Sequence, residues 1–277
     1  MKNTIYPCLW FDGNAKEAAD LYCSVFPDST ITTDTSMVVM FEIGGKKIMG
    51  LNGGPQFKIN PSISLSVRCS LEETDKIWNQ LLEGGKVMMA LDKYPWNERY
   101  GWLQDKFGMT WQISVADKEG DFSITPCMLF TNYKFGKAQE AINLYTSVFE
   151  NSSVDMIVHY PDGDVNAGKV MYAAFKLNGY DMTIMDGPGE HNYTFNWAVS
   201  LVVECETQQE IDYFWEKLIE DGGEESRCGW LADKFGVSWQ IIPSITGTLL
   251  SDPEKAPRVM QEVMKMKKLD MAIMMNA

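Results

Sequence analysis

The sequence predicts an α+β fold assembled from four βαβββ units, two in each of two tandem copies. Three observations carry this. The string "YGWLQDKFGMTWQI" from Tyr100 returns as "CGWLADKFGVSWQI" from Cys228, identical at ten of fourteen positions. The segments "EAADLYCSVF" from Glu17 and "SISLSVRC" from Ser62 return, in the same order, as "EAINLYTSVF" from Glu140 and "AVSLVVEC" from Ala198. Apolar residues at helical spacing alternate with short runs rich in β-branched and aromatic residues. Residues 1–118 and 122–245 therefore read as two similar domains of roughly 120 residues each, and 250–277 as a C-terminal docking helix.

Each copy opens on a strand, "IYPCLWF" from Ile5 and "ITPCMLF" from Ile124. The first helix follows, with Ala18, Leu21, Tyr22, Val25 and Phe26 on one apolar face and Asn14 as its N-cap. The second copy repeats the stripe as Ala141, Leu144, Tyr145, Val148 and Phe149. "MVVMFEIGGKKIMGL" from Met37 and "VMYAAFKLNGYDMTIM" from Val170 read as hairpins turning at Gly44-Gly45 and Asn178-Gly179. The second helix of each copy begins with a capping box, Ser70 with Glu73 and Thr207 with Glu210. It stops at Gly84-Gly85 and Gly222-Gly223, where glycine takes the left-handed conformation that ends a helix.

The copies differ at "KVMMALDKYPWNER" from Lys86, which shrinks to "EESR" before Cys228. Copy two is longer at "TNYKFGKAQ" and "GPGEHNYTFNW". After Pro243 the repeat ends. A helix is expected to start at Asp252-Pro253 and run to about Lys268, with Val259, Met260, Val263 and Met264 on its buried face.

The recurring string is a turn first. Asp105 and Gly108 suit a type I turn followed by a left-handed residue, which sets Trp102 opposite Gln112 and Leu103 opposite Trp111. Alternation then sends Trp111 and Ile113 toward the helices and leaves Trp102 and Gln112 on the other face of the sheet. Trp230 and Gln240 follow by the same geometry.

Composition narrows the function classes. With 24 basic against 38 acidic residues, a net charge of −14 repels phosphate backbones and anionic lipid, so neither nucleic acid nor membrane is an expected partner. No apolar run approaches the ~20 residues that span a bilayer, and the N-terminus lacks a signal-peptide core, which points to a cytoplasmic protein. The six cysteines are read as reduced; Cys8 matches Cys127 and Cys69 matches Cys205, as small buried residues do. The two histidines, His159 and His191, occupy non-equivalent positions and read as surface or loop residues.

"PCLWFDGNAKEAADLYCSVFPDSTI", "RYGWLQDKFGMTWQI" and "DPEKAPRVMQEVMKMKKLDMA" together resemble the PhnB-like branch of the vicinal oxygen chelate superfamily, also labelled 3-demethylubiquinone-9 3-methyltransferase-like. The resemblance implies paired βαβββ modules curled into a glyoxalase-like, cup-shaped eight-stranded sheet. It also implies a divalent metal held by His, Glu or Gln from the first and last strands of the modules. Carried across by motif, those positions fall near Pro7, Pro126, Ser62 and Ala198 and at Gln112 and Gln240. Such a set lacks a ligand triad, so no metal and no cofactor is expected. No strand, glycine-rich loop and helix followed by an acidic residue offers an S-adenosylmethionine site either.

Two functions compete on this basis. One is a metal-independent small-molecule binding protein, its cups lined by Trp10, Trp102 and Gln112 or their counterparts Trp230 and Gln240, with a homodimer allowed. The other is an enzyme of the same superfamily acting on a small polar metabolite, with acid–base residues from variable loops such as Glu98, Arg99 or Asp186. Completing a metal site would require carboxylates such as Glu42 or Asp186 to reach inward.

Overall fold

The computed structural model describes residues 4–118 and 120–277, so the first three residues of the 1–118 copy lie outside it. The four expected units are present. Unit one comprises β1 (Ile5–Phe11), α1 (Ala15–Val25), β2 (Ser29–Asp34), β3 (Val38–Ile43) and β4 (Lys46–Asn52). Unit two comprises β5 (Ile63–Cys69), α2 (Leu71–Leu82), β6 (Lys86–Tyr94), β7 (Asn97–Gln104) and β8 (Thr110–Val115). Unit three comprises β9 (Ser123–Phe130), α3 (Ala138–Val148), β10 (Ser153–His159), β11 (Val170–Leu177) and β12 (Tyr180–Asp186). Unit four comprises β13 (Val199–Cys205), α4 (Gln208–Ile219), β14 (Glu224–Glu225), β15 (Trp230–Ala232) and β16 (Ser238–Pro243).

The units pair across the sequence copies. Sheet A runs β14-β15-β16-β13-β1-β4-β3-β2 and joins units four and one; sheet B runs β10-β11-β12-β9-β5-β8-β7-β6 and joins units three and two. The seams are antiparallel, with Ile5 opposite Val203 in sheet A and Ile63 opposite Met128 in sheet B. Neither sheet is confined to one copy. The reason lies in each unit's first strand, which pairs with its own last strand on one side only, as Cys8 with Met49. Its other edge needs a strand from elsewhere to satisfy its backbone groups.

Strand alternation sorts the side chains. Ile5, Leu9 and Phe11 of sheet A and Ile63, Leu65 and Val67 of sheet B join one core with the helices, whereas Tyr6, Cys8 and Val202 form a separate cluster on the opposite, concave face. The two sheets thus back onto each other through their helices. Tyr22 and Phe26 close on Trp111 at ring distances of 4.9 and 5.0 Å, carrying α1 from sheet A onto sheet B. Tyr145 and Phe149 do the same to Trp239 at 5.3 and 5.5 Å. Each fully buried apolar side chain of this kind contributes about 1.5–3 kcal/mol.

The hairpins have the expected registers. Gly44 and Gly45 take positive φ between Ile43 and Lys46, and Asn178 and Gly179 do so between Leu177 and Tyr180. Trp102 faces Gln112 and Trp230 faces Gln240. The Ser70–Glu73 capping box is complete, while Glu210 accepts from the backbone N–H of Glu206 in place of Thr207.

Two further expectations are corrected. Asn14 does not cap α1 with its side chain; Asn52, the last residue of β4, accepts from the backbone N–H of Ala15 at 2.9 Å. A side chain fixed at a strand end reaches the free first-turn donors from outside the helix.

The tail is three short helices, α5 (Thr246–Ser251), α6 (Ala256–Val263) and α7 (Met271–Asn276), and not one helix from Asp252 to Lys268. The interruption has a use. Because β14 has only two residues, the Cys228-Gly229 backbone lacks the partner that β6 gives the matching residues of β7. The tail supplies it: Cys228 N–H donates to Met266 O and Gly229 N–H to Lys267 O, both at 2.8 Å. Asp270 then restarts the helix by accepting from the N–H of Ile273 at 3.0 Å. Val259, Val263, Leu269 and Met274 bury with Leu249 in a small cluster of their own, while Met264 stays 55 % exposed.

Candidate functional site

The concave faces carry matching floors. In sheet B, Gln112 Nε2 donates to Ser64 Oγ at 2.8 Å, and the Cys127 thiol lies in hydrogen-bonding reach of Thr183, Gln112 and Ser64. In sheet A, Gln240 Nε2 donates to Ser200 Oγ at 2.9 Å, and the Cys8 thiol reaches Gln240 and Ser200. Burial pushes Cys8 up to about 12 and raises Cys127 as well, so both are neutral thiols at physiological pH. The floors place one residue from each of three central strands together, as adjacent strands in register do.

Above these floors the cups differ. In cup A, Trp10 of β1 and Trp230 of β15 approach to 5.9 Å between ring centroids, at 80°. Flat strands three positions apart lie ~14 Å from each other, so the curl of the sheet and two large side chains close that gap. Phe57 and Trp197 extend the row at 5.1 and 6.5 Å. The loops bearing them are joined reciprocally: Asn60 Nδ2 donates to Thr194 O, and Asn196 Nδ2 to Lys58 O, each at 2.9 Å. Met40, Met49, Leu51 and Val202 make an apolar wall. At one end Glu204 accepts from Tyr6 OH at 2.8 Å and from Lys47 Nζ at 2.6 Å, which neutralises the carboxylate.

Cup B is more polar. Tyr100 stands where cup A has Cys228, and its hydroxyl donates to Gln112 Oε1 at 2.9 Å. Burial raises Tyr100 and pushes Tyr172 up to about 12, so both stay protonated donors.

Of the residues singled out from sequence, Trp102 and Gln112 share cup B, and Trp10, Trp230 and Gln240 share cup A. Trp10 therefore does not join Trp102 and Gln112; the swap of units between sheets assigns it to their counterparts. The implied metal positions also shift. Pro7 and Pro126 lie one residue before the cup-facing Cys8 and Cys127, and a one-residue step turns a strand side chain to the other face. Ser62 and Ala198 lie at the strand entrances, two residues before Ser64 and Ser200 of the floors. The donors assembled are thus a neutral thiol, a hydroxyl and an amide already bonded to one another. That set does not fit the three ligands and open position of a divalent catalytic site. Among the described residues no three His, Cys, Asp or Glu side chains converge.

None of the other nominated residues belongs to either floor. Asp186, 1 % exposed, accepts from the backbone N–H groups of Gly136, Ala138 and Val170 at 2.7, 3.2 and 2.9 Å, doing for α3 what Asn52 does for α1. Burial raises its carboxyl against those bonds. Arg99 grips Asp75 at 2.6 Å beside a surface cavity of ≈ 480 Å³, and Glu98 is exposed near Lys93. Glu42 lies across from Lys47 on sheet A. His159 ends an edge strand, and His191 is held by Tyr193 and Pro188 O in its loop.

Sequence reasoning read Cys8 and Cys127 only as small buried residues and passed over Ser64 and Ser200, although each pair stands at the same place in both copies. It also read Asp105 as a turn former alone and did not single out its counterpart Asp233. Each accepts four hydrogen bonds: Asp105 from Tyr22 OH, Trp111 Nε1 and the N–H groups of Phe107 and Met109, and Asp233 from Tyr145 OH, Trp239 Nε1 and the N–H groups of Phe235 and Val237. The recurring Asp, Tyr and Trp were the available signal.

Comparison with known proteins agrees with this architecture. A glyoxalase I from Zea mays superposes with a TM-score of 0.55 at 10% identity, over 86% of this chain and 92% of that one, which shows the glyoxalase-like fold. A putative 3-demethylubiquinone-9 3-methyltransferase, the PhnB protein from Bacillus cereus, is 31% identical over 40% of this chain and 98% of that one, with a TM-score of 0.39. No curated protein matches. The sequence profile described as 3-demethylubiquinone-9 3-methyltransferase matches residues 3–114 and again 122–242, so the chain belongs to that family as a tandem duplication.

Proposed function

We propose that the protein binds small molecules without a metal, each cup closing on a ligand with an apolar or aromatic body. Trp10, Trp230 and Gln240 contact it in cup A, and Trp102 and Gln112 in cup B. What supports the reading most is the Trp10–Trp230 pair at 5.9 Å above a neutral Cys8, Ser200 and Gln240 floor. Ligand sites are mostly apolar and aromatic concavities with a few placed polar groups, and this one has that composition. The methyl transfer in the family's description finds no S-adenosylmethionine loop in this sequence and is not part of the reading.

The test is titration of the full chain with a metabolite library, followed by tryptophan fluorescence. Saturable quenching or shift that is lost in Trp10→Ala and Trp230→Ala is expected. A silent library, or turnover of a bound compound, would defeat the reading.

A further inference from the structure

The β6–β7 hairpin is the largest element that the duplication does not repeat, with nine and eight residues against two and three in unit four. Its turn and cup-side edge carry Tyr94, Trp96, Tyr100 and Trp102. Tyr94 and Trp96 stack at 5.0 Å and 22°, and both meet Tyr100 edge-on at 5.8 and 6.0 Å. Trp96 is 62 % exposed although it is the largest side-chain type, so much of its ring is open to solvent. Next along the same strand, the Trp102 indole N–H is buried and has no hydrogen-bond partner among the described residues. Its counterpart Trp230 instead packs its ring on Trp10 and Trp197.

A buried N–H without an acceptor has lost its hydration and gained nothing in return, so such groups in native proteins call for a missing partner. Nearby side chains do not supply one. Gln112 Oε1 accepts from Tyr100 but not from Trp102, and Gln112 Nε2 is a donor bonded to Ser64. Tyr100 and Trp102 are alternate residues on one strand face, about 7 Å apart, which is within the length of a two-ring aromatic compound.

We propose that cup B takes a planar aromatic molecule bearing a carbonyl oxygen, its rings along Trp96 and Tyr100 and its carbonyl accepting from Trp102 Nε1. This rests on the reading of the cups as small-molecule sites and adds the class of one ligand. Cup A lacks the aromatic hairpin, and among the described residues its buried unpartnered group is the Ser238 hydroxyl and not an indole N–H, so the two cups select different compounds.

The probes are 2-acetylnaphthalene and 2-isopropenylnaphthalene, nearly identical in shape and differing in C=O against C=CH₂. They are titrated into the full chain, with indole N–H resonances recorded on tryptophan-labelled protein. The acetyl compound should bind about five- to tenfold more tightly, the worth of one hydrogen bond, and shift the Trp102 indole proton downfield. Trp102→Phe should abolish the preference, and Trp96→Ala should weaken both compounds. Equal affinities, a preference that survives Trp102→Phe, or an unmoved Trp102 resonance overturns the proposal and leaves the cup reading standing. Absence of saturable binding by either probe also overturns it; the cup reading falls only if the metabolite library is silent as well.

Discussion

The Tyr22 hydroxyl donates to the buried carboxylate of Asp105 at 2.8 Å, joining a helix of unit one to a hairpin of unit two across 83 residues of sequence. Tyr145 and Asp233 repeat the bond at 2.7 Å between units three and four. These bonds pin the two sheets back to back and account for the recurrence of Asp in the string. Tyr22→Phe or Tyr145→Phe should each lower stability by about 1–3 kcal/mol, because the carboxylate stays buried with one donor fewer. Denaturant melts measure this, and a loss under half a kilocalorie in both would show the bond to be dispensable.

The same carboxylates set a pH dependence. Burial raises Asp105 and Asp233 above the ordinary carboxylate range, against the four bonds each accepts. Between the unfolded value of about 4 and the higher folded one, the native state keeps a proton that the unfolded chain has released. Their contribution to stability is therefore greatest at acid pH and declines as pH rises through that window. The stability of the wild type relative to Asp105→Asn, whose amide does not titrate, should become less favourable with rising pH. A difference that grows more favourable would show the carboxyl to be lowered by its donors.

Separating the copies should expose the seams. Residues 1–118 alone retain β1 and β5 but lose β13 and β9, which cover them in the intact chain. Since β5 and β13 occupy matching places in their units, a second molecule of the same fragment offers β5 for β1. Light scattering after gel filtration should find the fragment dimeric or aggregated. A folded monomer with the native near-ultraviolet spectrum would contradict the exchange of units.

Deleting residues 252–277 uncovers the Cys228 and Gly229 backbone donors and the Lys267–Glu225 and Lys268–Asp212 pairs. The exposed pairs contribute little, but loss of the edge and of the Val259 and Val263 burial should lower the melting temperature by several degrees and raise dye binding at sheet A. An unchanged melt would mean that the tail is only attached and not structural.

Chelation should leave any ligand response intact, since the cup donors are a protonated thiol, a hydroxyl and an amide engaged with each other. Elemental analysis of protein purified without chelator, together with titration before and after EDTA dialysis, checks this. One tightly held zinc, nickel, manganese or iron per cup would overturn it.

The sequence by itself determined the four units, the hairpin registers and the facing of Trp102 onto Gln112 and Trp230 onto Gln240. Turn chemistry and alternation are local, acting over a few bonds, and the duplication displayed each of them twice. Which units share a sheet was decided only in three dimensions. The repeat makes β5 and β13 near-equivalent partners for β1, and local pattern cannot choose between equals; the choice falls to which arrangement buries Trp111 under Tyr22 and Phe26 and Trp239 under Tyr145 and Phe149. That choice moved Trp10 from Gln112 to Gln240. The second partner of the Cys228-Gly229 edge was equally hidden, because it comes from Met266 and Lys267 in a tail with no repeat to compare. Contacts made by backbone groups leave no mark on side-chain pattern, so only the tertiary structure could supply them.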